Sequence, residues 1–241
     1  MIDVRTEGFV AIVTLQRPSA RNALRIADWH ALADAVEALD CRVAILTGED
    51  GFCAGADLTE IRSLGQASDR RAMFREAMRR GIDVIAGLPF PVVAAIDGGC
   101  FGAGVALAIA ADIRIAGADA RFATTPARLG IGYPAADVAR LVDRVGRGWA
   151  SRMLFAAQPI DAAQALAIGL VEQIADDPRQ AARVLAEAIA ANAQGAVRAL
   201  KRTIANPSDT SHDAAFDAAF GMPAFAEGIA AFHARRTPVF E

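Results

Sequence analysis

Pro91-Val92-Val93-Ala94-Ala95-Ile96-Asp97-Gly98-Gly99-Cys100-Phe101-Gly102-Ala103-Gly104 is the stretch on which the fold of this chain turns. An apolar, β-type run ends in an aspartate and a cluster of tiny residues, and these open a helix-compatible segment, Ala103 to Ala110. The same grammar occurs upstream. Strand-like Val43-Ala44-Ile45-Leu46-Thr47 is followed by Gly51-Phe52-Cys53-Ala54-Gly55-Ala56-Asp57-Leu58. Glycine and alanine keep side chains away from the backbone N–H groups, so a ligand can approach the main chain. Two such peptides facing one oxygen form an oxyanion hole, which stabilises a carbonyl oxygen as charge develops on it. Asp57, placed just before Leu58, is expected to cap the helix that starts there.

Outward from these loops, strands and helices alternate. Phe9 to Leu15 predicts a strand paired with Ile2 to Arg5 across Gly8, and Asp28 to Leu39 has helical spacing. Ser68 to Ala86 reads as a long amphipathic helix with Met73, Met78, Ile82 and Ile85 on its apolar face. Short strands are expected at Ile113 to Ala116 and Arg121 to Ala123. This order implies an α/β architecture with parallel pairing. Beyond Asp176 the strands stop. Pro178 to Asn192, Gly195 to Ala205, Thr210 to Gly221 and Pro223 to Arg236 read as helices separated by turn residues. The aromatic face of that tail, Phe216, Phe220, Phe225 and Phe232, needs burial on the core or on another subunit.

The chain has 241 residues, 54% hydrophobic and 22% charged, which excludes a disordered protein. A net charge of −3 gives no field that favours nucleic acid. The most apolar window, Val92 to Gly117, contains Asp97, Asp112, Arg114 and several glycines, so no membrane partner is expected. The start has neither a basic nor an apolar signal region. Cys41, Cys53 and Cys100 are odd in number and scattered, which argues for a reducing, cytoplasmic setting. They and His30, His212 and His233 show no metal-ligand spacing. A dinucleotide fingerprint starting at Gly102 would need a glycine where Leu107 stands, and no G-x-S-x-G hydrolase motif is present.

The two loops together resemble the enoyl-CoA hydratase/isomerase (crotonase) superfamily. So do Leu15-Gln16-Arg17-Pro18 with Arg21-Asn22-Ala23-Leu24, the stretch Val93 to Ile113, Gly146-Arg147-Gly148-Trp149-Ala150, Ala165 to Val171, and Glu227-Gly228 through Arg236-Thr237-Pro238-Val239-Phe240. The resemblance spans about the whole chain. It implies a crotonase-like ββα spiral core over residues 1–192 and an all-helical oligomerisation region over 193–241, assembled as a homotrimer or homohexamer. It also implies an acyl-CoA thioester ligand from fatty-acid metabolism, with coenzyme A arriving as part of the substrate and no separate cofactor. By position in the motifs, the expected donors are the backbone amides of Ala54 and Ala103. Gly55, Ala56, Asp57, Leu58, Gly102, Pro126, Ile131 and Tyr133 are expected around the acyl group, with the Ser68–Ala86 helix as one wall. Arg17, Arg21 and Arg62 are expected phosphate contacts, and Lys201 with Arg235 or Arg236 fall where the family's tail supplies basic groups.

The chain departs from the hydratase pattern at both acid/base positions. Where family hydratases carry glutamates, this sequence has Ala106 and Pro126. A thioester-binding protein deficient in hydration is one expectation. The other is an active hydratase or isomerase with a non-standard base, for which Asp137 is the nearest carboxylate. The plain reading of Asp137 is a charge at a helix N-terminus. Thr124 and Thr125 are too weakly acidic to be good bases.

Overall fold

The computed structural model describes residues 1–66 and 68–240. The chain begins with a hairpin, β1 (Ile2–Glu7) antiparallel to β2 (Val10–Leu15), turned at Gly8 with φ +60°. Helix α1 (Ile26–Glu37) crosses to β3 (Val43–Gly48), and β3 pairs parallel with β2. A short helix α2 (Leu58–Ser63) and a long α3 (Ser68–Gly87) lead to β4 (Val92–Ile96). Then come β5 (Gly99–Phe101), α4 (Ala103–Ala110), β6 (Ile113–Gly117) and β7 (Arg121–Ala123). Helix α5 (Ala135–Ala156) is broken at Gly146, whose φ is +73°. It is followed by β8 (Ile160–Asp161), α6 (Ala162–Ala167) and β9 (Gln173–Ala175). Four helices end the chain: α7 (Pro178–Ala190), α8 (Gln194–Ala205), α9 (Ser211–Ala219) and α10 (Pro223–Ala234).

The main sheet runs β1-β2-β3-β4-β6-β9 and is parallel from β2 onward; β5, β7 and β8 form a smaller second sheet. Alternation along the strands assigns two faces. Ala44, Leu46, Ala94 and Ile96 point into a core with Trp29 and Leu32 of α1 and Ile82 and Ile85 of α3. Val43, Ile45, Val93 and Ala95 point the other way, onto Ala182, Ala186 and Ala190 of α7. Strands covered on both faces read as continuous apolar runs, which is why 43–47 and 92–96 look alike in sequence. On α3, Met78, Ile82 and Ile85 are buried as expected, but Met73 is 56% exposed because the buried face of that helix is confined to its C-terminal half, Ala77 to Ile85.

Both small-residue loops leave the carboxyl ends of neighbouring parallel strands, β3 and β4, where open parallel sheets place ligand sites. No described helix is long and apolar enough to cross a membrane.

Candidate oxyanion site

The loop after β3 is held between two partners. On one side Cys53 N–H donates to Gly99 O at 3.0 Å and Phe101 N–H to Cys53 O at 2.9 Å, a parallel bridge to β5. On the other, Leu24 N–H donates to Gly55 O at 2.8 Å and Asp57 N–H to Leu24 O at 3.0 Å. Asn22 fixes the segment before the loop. It is fully buried with φ +56°, its side-chain amide donating to Glu49 O (2.8 Å) and Gly51 O (2.9 Å) while its oxygen accepts from Arg17 N–H (2.7 Å).

This clamp corrects one expected donor. Ala54 N–H points back into the protein and donates to Arg21 O at 2.8 Å, so it is committed to backbone pairing. Ala56 N–H, two residues on, has no hydrogen-bond partner among the described residues. Ala103 occupies the first position of α4, where an N–H has no partner inside the helix. The loops meet at Gly55, which has φ +92°; a Cβ there would lie 2.6 Å from Phe101 O and 2.8 Å from Ala103 N. Only glycine lets the chain that carries Ala56 pass so close to Ala103. Gly102, with φ +53°, aims the following peptide, and the α4 dipole reinforces the field at Ala103.

The other expected residues take distinct places. Asp57 is a helix cap, as expected: its carboxylate accepts from Thr59 N–H at 2.9 Å. The Thr59 hydroxyl bond and the Arg17 guanidinium hold that buried carboxyl down to about 2. Arg17 is therefore tied inward, its Nη1 2.6 Å from Asp57 and 3.0 Å from Ala23 O, which takes it away from a phosphate-binding role. Arg21 and Arg62 have exposed side chains, the former beside the first loop. Lys201 is only 11% exposed and is bound to Asp112 (2.7 Å) and Phe90 O (2.9 Å). Arg236 is paired with Glu227 at 2.6 Å, whereas Arg235, the C-cap of α10, is exposed.

Around the site, Leu58 and Ile131 are exposed at 59% and 49%, and Pro126 opens a short 3-10 turn after Thr125. Ala106 is buried one turn into α4. Tyr133 is partly buried and donates its phenol to Gly102 O at 2.9 Å. Asp137 does stand in the first turn of α5, but it is fully buried. Its Oδ1 meets Arg79 at 2.6 Å and Arg140 at 3.3 Å, and its Oδ2 is buried without a partner among the described residues. Burial pushes the carboxyl above its ordinary value, and the two arginines only partly offset this.

The fold has close counterparts. An enoyl-CoA hydratase structure from Polaromonas sp. JS666 superposes with TM-score 0.93 at 30% identity, covering 100% of this chain and 99% of that one. A Bacillus anthracis enoyl-CoA hydratase structure gives TM-score 0.92 at 31% identity over 99% and 98%. The crotonase-like α/β core with a helical C-terminal region is thus the fold of this chain. The enoyl-CoA hydratase/isomerase family model matches residues 5–241. The short-chain-enoyl-CoA hydratase of Clostridium acetobutylicum is 34% identical over 92% of this chain and 86% of its own length. The 2,3-dehydroadipyl-CoA hydratase of Escherichia coli is 32% identical over 96% and 95%. The chain belongs to the enoyl-CoA hydratase/isomerase family.

Proposed function

We propose that this protein binds acyl-CoA thioesters of fatty-acid metabolism, with the thioester oxygen between the N–H groups of Ala56 and Ala103. The single observation behind this is that two backbone donors, unpartnered among the described residues, adjoin across Gly55 at the ends of two parallel strands. Each such donor contributes about 3–4 kcal/mol when the oxygen gains charge. Leu58, Ile131 and Tyr133 supply the acyl surroundings, and Arg21 is the best-placed phosphate contact. Relatives named as hydratases support the ligand class.

Hydration itself is deficient in this reading. Adding water to an enoyl thioester needs a base for the water and an acid for Cα, each contributing about 10²–10⁴ in rate. Ala106 and Pro126 supply neither. Calorimetry with acyl-CoAs of several lengths, and with NAD(P)H as a control, tests the binding; a folded sample that binds no acyl-CoA overturns it. Hydration of crotonyl-CoA at roughly ten turnovers per second, an ordinary enzymatic rate, overturns the deficiency.

A second reading, an active hydratase or isomerase, is favoured by one observation: the buried Oδ2 of Asp137, without a partner among the described residues, on a carboxyl with a raised pKa. A carboxyl pushed toward working pH is suited to proton transfer. Assembly as a trimer or hexamer is supported by Phe216, Phe220 and Phe232, exposed at 65%, 54% and 79% on the tail. Three buried free thiols fit a cytoplasmic setting.

A further inference from the structure

Gly102 and Ala103 share one peptide unit. Its N–H is the second donor of the site, and its C=O accepts two hydrogen bonds, from Val105 N–H at 3.0 Å and from the Tyr133 phenol at 2.9 Å. We propose that Tyr133 is a positioning residue for the oxyanion site, orienting and polarising, through the Gly102 carbonyl, the peptide whose N–H on Ala103 meets the thioester oxygen. This rests on the acyl-thioester reading above.

Three features carry it. The amide is a conjugated unit, so a donor on its oxygen draws charge from nitrogen and strengthens its N–H, the cooperative effect known in hydrogen-bond chains. Gly102 sits at φ +53°, ψ −123°, one of several conformations open to glycine, so hydrogen bonds rather than side-chain sterics hold this peptide plane. The Tyr133 phenol, 31 positions away, adds to the local bond from Val105 N–H. Finally, the phenol is a dependable donor. Tyr133 packs against the hydrophobic core, and Pro134 after it opens α5. Burial, with the Asp137 carboxyl and the Cys100 and Cys53 thiols nearby, keeps the hydroxyl protonated well above the usual tyrosine range.

A bond that merely anchored the 130–134 segment to α4 would leave the thioester unaffected, and this separates the two roles. Tyr133 is the only tyrosine in the chain, so global replacement with 3-fluorotyrosine changes this phenol alone. The probe is butyryl-CoA carrying a ¹³C thioester carbonyl, which has no double bond to hydrate, read by isotope-edited infrared difference spectroscopy. Binding to the wild type lowers the carbonyl stretching frequency. Y133F, saturated with butyryl-CoA, loses roughly a tenth to a third of that shift, the scale of cooperative strengthening. The more acidic fluorophenol enlarges the shift. Equal shifts in all three proteins overturn the proposal, as does a loss in Y133F with no gain from the fluorophenol. If Y133F fails to fold, the fluorotyrosine comparison decides alone. Wild-type protein that binds no butyryl-CoA, or binds it without a shift, overturns the thioester reading and this inference with it.

Discussion

Arg17 Nη1 lies 2.6 Å from the Asp57 carboxylate, joining the segment after β2 to the residue that follows the Ala56 donor. The pair holds the far end of the first loop. Arg17→Ala leaves a buried carboxylate without its cation and is expected to cost about 1.5–3 kcal/mol, the range for hydrogen bonds to charged groups. Equilibrium urea unfolding measures this. Acyl-CoA affinity should fall as well, and unchanged stability would contradict the latch.

The same carboxyl predicts a pH effect. Asp57 is held at about 2 in the folded protein, against an ordinary value of 3.8. A depressed carboxyl contributes stability that is complete above its unfolded pKa and disappears as pH falls through its folded pKa. Stability from Asp57 is therefore lost between about pH 4 and pH 2. Asp57→Asn keeps a capping side chain but has no titration. The wild-type advantage over D57N should shrink steadily across that window in denaturant titrations; a constant difference down to pH 2 rules it out.

Gly55→Ala tests the junction of the loops. A Cβ at φ +92° would also press on Phe101 O and Ala103 N. Stability should drop by more than about 1 kcal/mol, and acyl-CoA binding should weaken at least about tenfold, equivalent to about 1.4 kcal/mol. Calorimetry on folded variant protein reads the second effect. Wild-type affinity would detach the junction from the site.

For the second functional reading, Asp137→Asn should reduce any turnover by about 10²–10⁴, the contribution of one positioned proton-transfer group. A base must be ionised, so the wild-type rate should rise with pH through the raised pKa of this carboxyl. Arg79 and Arg140 pull that limb down, while burial and Asp83 push it up. D137N with full turnover, or a rate flat over the acidic range, excludes Asp137.

Removal of everything after Asn206 takes away α9, α10 and their exposed phenylalanines. Sedimentation should then show loss of the native assembly or aggregation, with loss of ligand binding. A monomeric, ligand-competent truncation would dissociate assembly from the site.

The α/β order was legible in the sequence because β3 and β4, buried on both faces, leave apolar runs that end in glycine-rich turns. The helical tail was equally plain from its spacing and its Gly and Pro punctuation. What the residues did not reveal was the direction of individual amides. Ala54 and Ala56 are identical side chains in one loop. Only the pairing with Arg21 and Leu24, more than thirty residues upstream, turns one N–H inward and leaves the other open. Arg17 and Lys201 carried the same ambiguity, since a cation sought for a phosphate looks no different from one bound to Asp57 or Asp112. Asn22 gave a weak signal at most. A polar residue shortly after Pro18 does not disclose that it is fully buried and spans three backbone partners.

The donors of the proposed site belong to the main chain, and that has an evolutionary consequence. No replacement at Ala56 or Ala103 other than proline deletes an N–H. Drift at neighbouring positions such as 106, 126 and 137 can thus exchange one chemistry for another without rebuilding that cradle of amides. The glycine at 55, where backbone meets backbone, is the position at which such a lineage has least freedom.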